Sequence, residues 1–253
     1  MSRKTTIPAE FIATNRAILA DVRSRRQPSP PSQRTPNCHR RLNLADMIDQ
    51  QMQQYGHDTW GYVIYRTTYE SDCDWNNFIT QLNAKLEDVF EFYNGKDILD
   101  KFTLTVMDDR ALFNGASTHD IRRHFHEWVK QNYTSEQPHA KESEEDALKI
   151  PQGSTRYRYA VCVDAESLHS IVHGRSEVPK KEPWVKVIKR TWKLDPSGDF
   201  EDQELEEPLE GVTQHDVGWM RVGMRGLVSF YELGEDNNYW IRVYLRPPKT
   251  LTH

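Results

Sequence analysis

Apolar positions along the chain follow two rhythms. Runs that are aromatic or β-branched almost throughout, at 60–66 (W-G-Y-V-I-Y-R), 102–107, 157–164 and 184–192, read as buried strands. Between them apolar residues recur at spacings of three and four. A helix capped by Asp74 carries Trp75, Phe78, Leu82, Leu86 and Phe90 on one face and ends at Asn94-Gly95. A second helix over 118–131 turns Ile121, Phe125, Trp128 and Val129 inward. Shorter helices are predicted over 42–54 and 166–172, a helical turn over 213–220, and a closing strand over 239–245 that stops at Pro247-Pro248.

The order strand-helix-strand, inserted helix, strand-helix-strand predicts an α+β fold: a ferredoxin-like sandwich with inserted helices and acidic loops, with a three-layer α/β sheet as the alternative. Ahead of it, Phe11, Ile12, Ile18, Leu19 and Val22 predict a helix over 6–26. Pro28, Pro30 and Pro31 then forbid regular structure. Residues 1–41 therefore read as an N-terminal arm with a short helix and a Pro-rich linker, and 42–253 as a single α+β domain.

Charge sharpens that division. Residues 1–41 carry nine Lys/Arg against two acids, +7, while 42–253 carry 24 against 36, −12. A basic arm of this kind settles on nucleic-acid phosphates or folds back on an acidic body. The acidic runs at 141–146 and 199–210 read as solvated loops.

Several chemistries find no signature. Cys38, Cys73 and Cys162 are far apart with no CxxC pair. No run approaches the ~20 apolar residues of a membrane span and no secretory signal opens the chain, so no membrane partner and a cytoplasmic location are expected. No phosphate-cradling glycine loop or nucleophile elbow occurs. His124 and His126 are two residues apart on a helix, the wrong spacing for a metal, and Asp72-Cys73-Asp74 suits helix capping better than a cation. Neither metal nor cofactor is expected.

What remains are polar side chains at strand ends. Arg66, Tyr69 and Glu70 leave the first strand together, just after Tyr65, and Asp108 and Asp109 end the second. Tyr65, Glu70, Asp108 and Asp109 form the candidate catalytic set. Asp164 and Glu166, at a strand-to-helix junction, serve either as ligand-binding groups or as acids complementing a helix dipole. Asp216, Trp219, Arg221 and Arg246 are further candidates for substrate binding.

Five blocks, W-G-Y-V-I-Y-R-T-T-Y (60–69), D-D-R-x-x-x-x-G-A-S (108–117), Y-x-V-C-V-D-A-E-S-L (159–168), D-V-G-W-M-R-V (216–222) and Y-L-R-P-P (244–248), resemble a large, mostly uncharacterised family of filamentous-fungal proteins. The resemblance spans about residues 55–248 and extends to the fungal arginine-containing cyclodipeptide synthases. It implies a cytoplasmic transferase of fungal secondary metabolism that is tRNA-dependent, joining arginine from arginyl-tRNA to a second aminoacyl group and cyclising the pair. The acids Glu70, Asp108 and Asp109 would then hold a guanidinium. The alternative is a non-catalytic intracellular binding or adaptor protein.

Overall fold

The computed structural model describes residues 32–35, 42–141, 154–174, 182–194, 206–236 and 238–252. The helix expected over 6–26, most of the proline-rich linker and the greater part of both acidic runs lie outside them. The chain divides into Met1–Leu42 and Asn43–His253. In the first unit, Ser32 Oγ accepts from the amides of Arg34 and Thr35, at 3.2 and 3.1 Å.

The second unit is built on a mixed six-stranded sheet in the order β2-β1-β3-β4-β5-β6. Its strands are β1 (Val63–Arg66), β2 (Thr105–Met107), β3 (Tyr159–Val163), β4 (Trp184–Lys189), β5 (Trp219–Gly223) and β6 (Thr250–Leu251). β1 is parallel to β2 and β3, β4 is antiparallel to both its neighbours, and β6 is parallel to β5. The principal helices are α1 (Leu44–Tyr55), α2 (Asp72–Phe92), α5 (Thr118–Glu136), α6 (Ala165–Val172), α7 (Leu227–Leu233) and α8 (Tyr239–Val243), with the short α3 (Lys96–Leu99) and α4 (Arg110–Phe113) between α2 and α5.

The expected mixed class is observed, with helices on both faces of the sheet. One core joins Ile64, Val161 and Val187 to α1, α2, α6, α7 and α8. The other joins Val63, Tyr65 and Cys162 to Phe113 of α4 and to Ile121, Phe125, Val129 and Tyr133 of α5. This is the layering of the three-layer alternative. It explains why β1 and β3 show no polar alternation: every residue of both strands is buried.

Three local expectations are corrected. The N-cap of α2 is Ser71, whose Oγ accepts from the Asp74 amide at 3.1 Å, and Asp74 lies in the first turn beside Asp72. Residues 239–243 of the expected strand form the helix α8, with the amides of Arg242 and Tyr244 donating four residues back to Asn238 O and Trp240 O at 3.2 and 2.8 Å. Segment 213–220 yields a strand start: Gly218, at φ +75°, turns the chain so that Trp219 enters β5. Among the described residues no helix is long and apolar enough to cross a membrane.

Glu232 on α7 is an ionisable group held in this core, its backbone carbonyl accepting from Gln51 Nε2 of α1 at 2.9 Å. Burial, and then the neighbouring Glu235, push its carboxyl up to about 7. The folded chain therefore holds a proton that the unfolded chain releases near 4.5. The associated stability is fully present below 4.5 and is lost as pH rises through 7. Glu232→Gln should leave the melting temperature unchanged near pH 4.5 and, after discounting for solvent screening, stabilise the chain by about 1 kcal/mol at pH 8. Equal gains in thermal melts at both pH values would contradict the assignment.

Candidate functional site

From β1 the chain crosses one face through α2 to reach β2. From β2 it crosses the opposite face through α5 to reach β3, on the other side of β1. The connections diverge between β1 and β2, because α2 and α6, which follow β1 and β3, share one face while α5, which follows β2, lies on the other. A cleft of about 490 Å³ opens next to that point, at the carboxyl ends of β1 and β3.

Three segments build its walls. Thr67 and Thr68 follow β1, residues 115–117 precede α5, and Cys162 and residues 164–166 end β3. Gly115, at φ +70°, donates its amide to Thr67 O at 3.0 Å, and a Cβ there would meet nothing within 4 Å. Ser117 caps α5 by accepting from the Asp120 amide at 3.2 Å. Asp164 caps α6 in a reciprocal box with Ser167, both bonds 2.9 Å.

The cleft is charged and mostly acidic. Lys186 reaches in from β4, with Nζ 2.8 Å from Asp164 Oδ2 and 4.6 Å from the centre of the Trp219 ring. Burial opposes charge on both partners, but each outweighs it for the other: Lys186 is held above the usual lysine range, Asp164 below the usual carboxylate range. Beyond them Arg221 Nη2 donates to both Glu166 oxygens at 2.9 Å, and its guanidinium stacks 4.0 Å over Trp184. Glu70 is exposed and, among the described residues, makes no ion pair. Glu210 enters from the opposite wall, its Oε2 accepting from the Thr118 amide at 3.2 Å and from the Thr118 hydroxyl.

Beside the cleft a second cluster gathers Arg66, Tyr69 and Asp108. The Arg66 guanidinium pairs with Asp72 and with Asp108 at 3.4 Å, and its Nε donates to Thr68 O at 3.0 Å. It also lies 4.5 Å from the Tyr69 ring and 5.1 Å from that of Trp75. Burial and the nearby Asp108 push the Tyr69 phenol up to about 12. With these partners Arg66 ties β1 to α2 and to the end of β2, and has little capacity left for a ligand.

Four sequence candidates stand apart from both groups. Tyr65 is buried in the α5-side core with its hydroxyl 2.9 Å from His124 Nδ1, and burial raises its phenol strongly. Asp109 is the N-cap of α4, its Oδ1 accepting from Ala111 and Leu112 at 2.9 and 3.2 Å. Asp216 accepts from Trp240 Nε1 at 2.8 Å and from its own turn at Gly218. Arg246 donates to the carbonyls of Glu207, Val212, Gln214 and His215 and so clamps segment 206–215.

Sequence reasoning missed Lys186, Thr68, Cys162 and Glu210. A lone lysine inside the apolar run W-V-K-V-I was the available signal for Lys186. The Cys162 thiol is pushed up to about 12 by burial, which keeps it from serving as a thiolate. Among the described residues no group of three His, Cys, Asp or Glu side chains is placed to hold a metal. Comparison of the chain with protein-family models, curated proteins and solved structures returns no match.

Proposed function

We propose that this chain is an aminoacyl-transfer enzyme acting on arginine, drawn from arginyl-tRNA, joined to a second tRNA-borne aminoacyl group and cyclised with it in the cytosol with release of both tRNAs, the guanidinium being held by Glu70 in the β1/β3 cleft. The observation that carries the reading is convergence. The first three of the five sequence blocks, separated by up to a hundred residues, each supply part of one cleft at the carboxyl ends of β1 and β3. A guanidinium needs planar carboxylate acceptors, and Arg221 on Glu166 is already bound in that way. The +7 arm supplies cationic charge suited to an RNA phosphate backbone.

In a neutral host the chain should yield a new arginine-bearing diketopiperazine detectable by mass spectrometry. Glu70→Ala should lower its amount at least about tenfold while leaving the melting temperature within about 1 °C, because the side chain is exposed and unpaired. Soluble, folded protein that gives no product would end the enzymatic reading. One observation favours a non-catalytic binding protein instead: the cleft's thiol and its amine, Cys162 and Lys186, are both held protonated. Calorimetric binding of L-arginine without product would support that alternative.

A further inference from the structure

Glu210 belongs to the two-residue turn between Leu209 and Val212, whose backbones exchange hydrogen bonds of 3.0 and 2.9 Å. Both turn residues have positive φ, +50° for Glu210 and +82° for Gly211, the geometry that two-residue hairpins use. From this exposed tip the carboxylate reaches the first turn of the 19-residue helix α5, whose leading amides have no partner within the helix. A second, independent feature faces the same space. Thr68 is only 5% exposed and lines the cleft, and among the described residues its hydroxyl makes no hydrogen bond to protein while its oxygen stays open to solvent. The Lys186 ammonium borders the cleft as well, and the open side of Gly115 leaves the approach to α5 clear.

We infer that the first turn of α5, with the Thr68 hydroxyl and the Lys186 ammonium, is a subsite for the α-carboxylate of a free amino acid, and that Glu210 fills it as an internal competitor when no ligand is bound. This rests on reading the cleft as an arginine site and adds the opposite end of free L-arginine to it, a carboxylate that the ester of arginyl-tRNA lacks, so the subsite is one for the free amino acid and not for the acyl-tRNA. A carboxylate suits the surroundings better than a phosphate. Glu70, Asp164, Glu166 and Glu210 line the cleft with a single lysine, so a dianion is repelled, while a zwitterion brings its own ammonium. Displacing Glu210 needs only its side chain to swing out, since the hairpin is closed by its own backbone bonds and segment 206–215 is clamped by Arg246.

Isothermal titration with L-arginine, agmatine, propionate and inorganic phosphate tests the subsite. Glu210→Gly removes the carboxylate and suits positive φ. It should tighten L-arginine and propionate at least about tenfold and leave agmatine, which lacks a carboxylate, within about twofold. Adding Thr68→Val should reverse the gain. If thermal melts show Glu210→Gly to be less stable than the parent, Glu210→Asn, uncharged and tolerant of this backbone, replaces it. Unchanged L-arginine and propionate affinities alongside normal agmatine binding would overturn the subsite and spare the guanidinium reading. Tighter propionate with no agmatine binding would support the subsite and overturn the guanidinium reading. Phosphate gaining more than propionate would overturn the carboxylate assignment.

Discussion

An Arg156→Met chain is expected to be less stable than the parent by about 3–5 kcal/mol, the cost of breaking a buried pair by removing one partner. Arg156 has no exposed surface. Its Nε and Nη2 engage the two oxygens of Glu136, at 3.0 and 2.7 Å, so the fork closes on the last turn of α5. Its other donors reach Thr103 O at 2.9 Å and Thr105 Oγ1 at 2.6 Å, at the start of β2. The Tyr157 hydroxyl donates to the same Glu136 carboxylate at 2.8 Å, and the Gln137 amide donates to that hydroxyl, also at 2.8 Å. Methionine fills much of the volume but leaves the Glu136 carboxylate with the Tyr157 hydroxyl and no cation, and takes from Thr103 O the donor that Arg156 supplies.

Against a total of about 5–15 kcal/mol, a loss of that size lowers the melting temperature by about 10 °C or more. Arg156→Lys keeps the charge but loses the fork and should fall between the two. A melting temperature within about 2 °C of the parent for the methionine variant would show that the network contributes little. Arg156 lies at the amino ends of β2 and β3, opposite the cleft, so the variant should bind L-arginine normally at temperatures where it remains folded.

Arg156 also illustrates what local pattern does not convey. β1 and β3 were readable because burial on both faces leaves continuous apolar runs, β4 because only lysines interrupt its apolar residues, and α2 and α5 because a single buried face repeats at helical spacing. Segments 219–223 (W-M-R-V-G) and 239–243 (Y-W-I-R-V) are nearly the same words, yet one is β5 and the other α8. Context separates them. Gly218 turns Trp219 into the sheet, whereas Asp236 accepts from the Asn238 amide at 2.8 Å and pairs with Arg242 at 2.7 Å, winding the second segment into a turn of helix.

The site divides in the same way. Strand-end position was enough to single out Glu70, Asp164 and Glu166, because side chains leaving the carboxyl ends of parallel strands share a crevice. It was not enough for Arg66, whose partners Asp72 and Asp108 come from α2 and from the end of β2. Glu210 gave no sign within an acidic run, since its meaning depends on a helix start 92 residues earlier.

Lys186→Met should affect both stability and binding. Asp164, about a quarter exposed, would keep its capping bond to Ser167 but lose the one cation placed against it among the described residues. Discounting the usual penalty for a buried unpaired charge by that exposure gives a loss of about 2 kcal/mol at pH 7. The pH dependence separates this from lost packing. In the parent, the depressed Asp164 contributes stability that is present above its unfolded value of 3.8 and lost as pH falls through the lower folded value. The raised Lys186 contributes stability that is present below 10.5 and lost as pH rises through its higher folded value. Between those limits the parent keeps both contributions. Without the ammonium, burial opposes the Asp164 charge against only the Ser167 bonds, so the carboxyl takes up its proton at higher pH than in the parent and then ceases to be an unpaired charge. Urea titrations should therefore find the deficit constant from pH 6 to 8 and shrinking toward pH 4; a deficit independent of pH across that range would mean the lysine stem's packing on Trp219 is what counts. In the same variant L-arginine should weaken at least about tenfold and agmatine should not, because the ammonium faces the carboxylate end of the ligand.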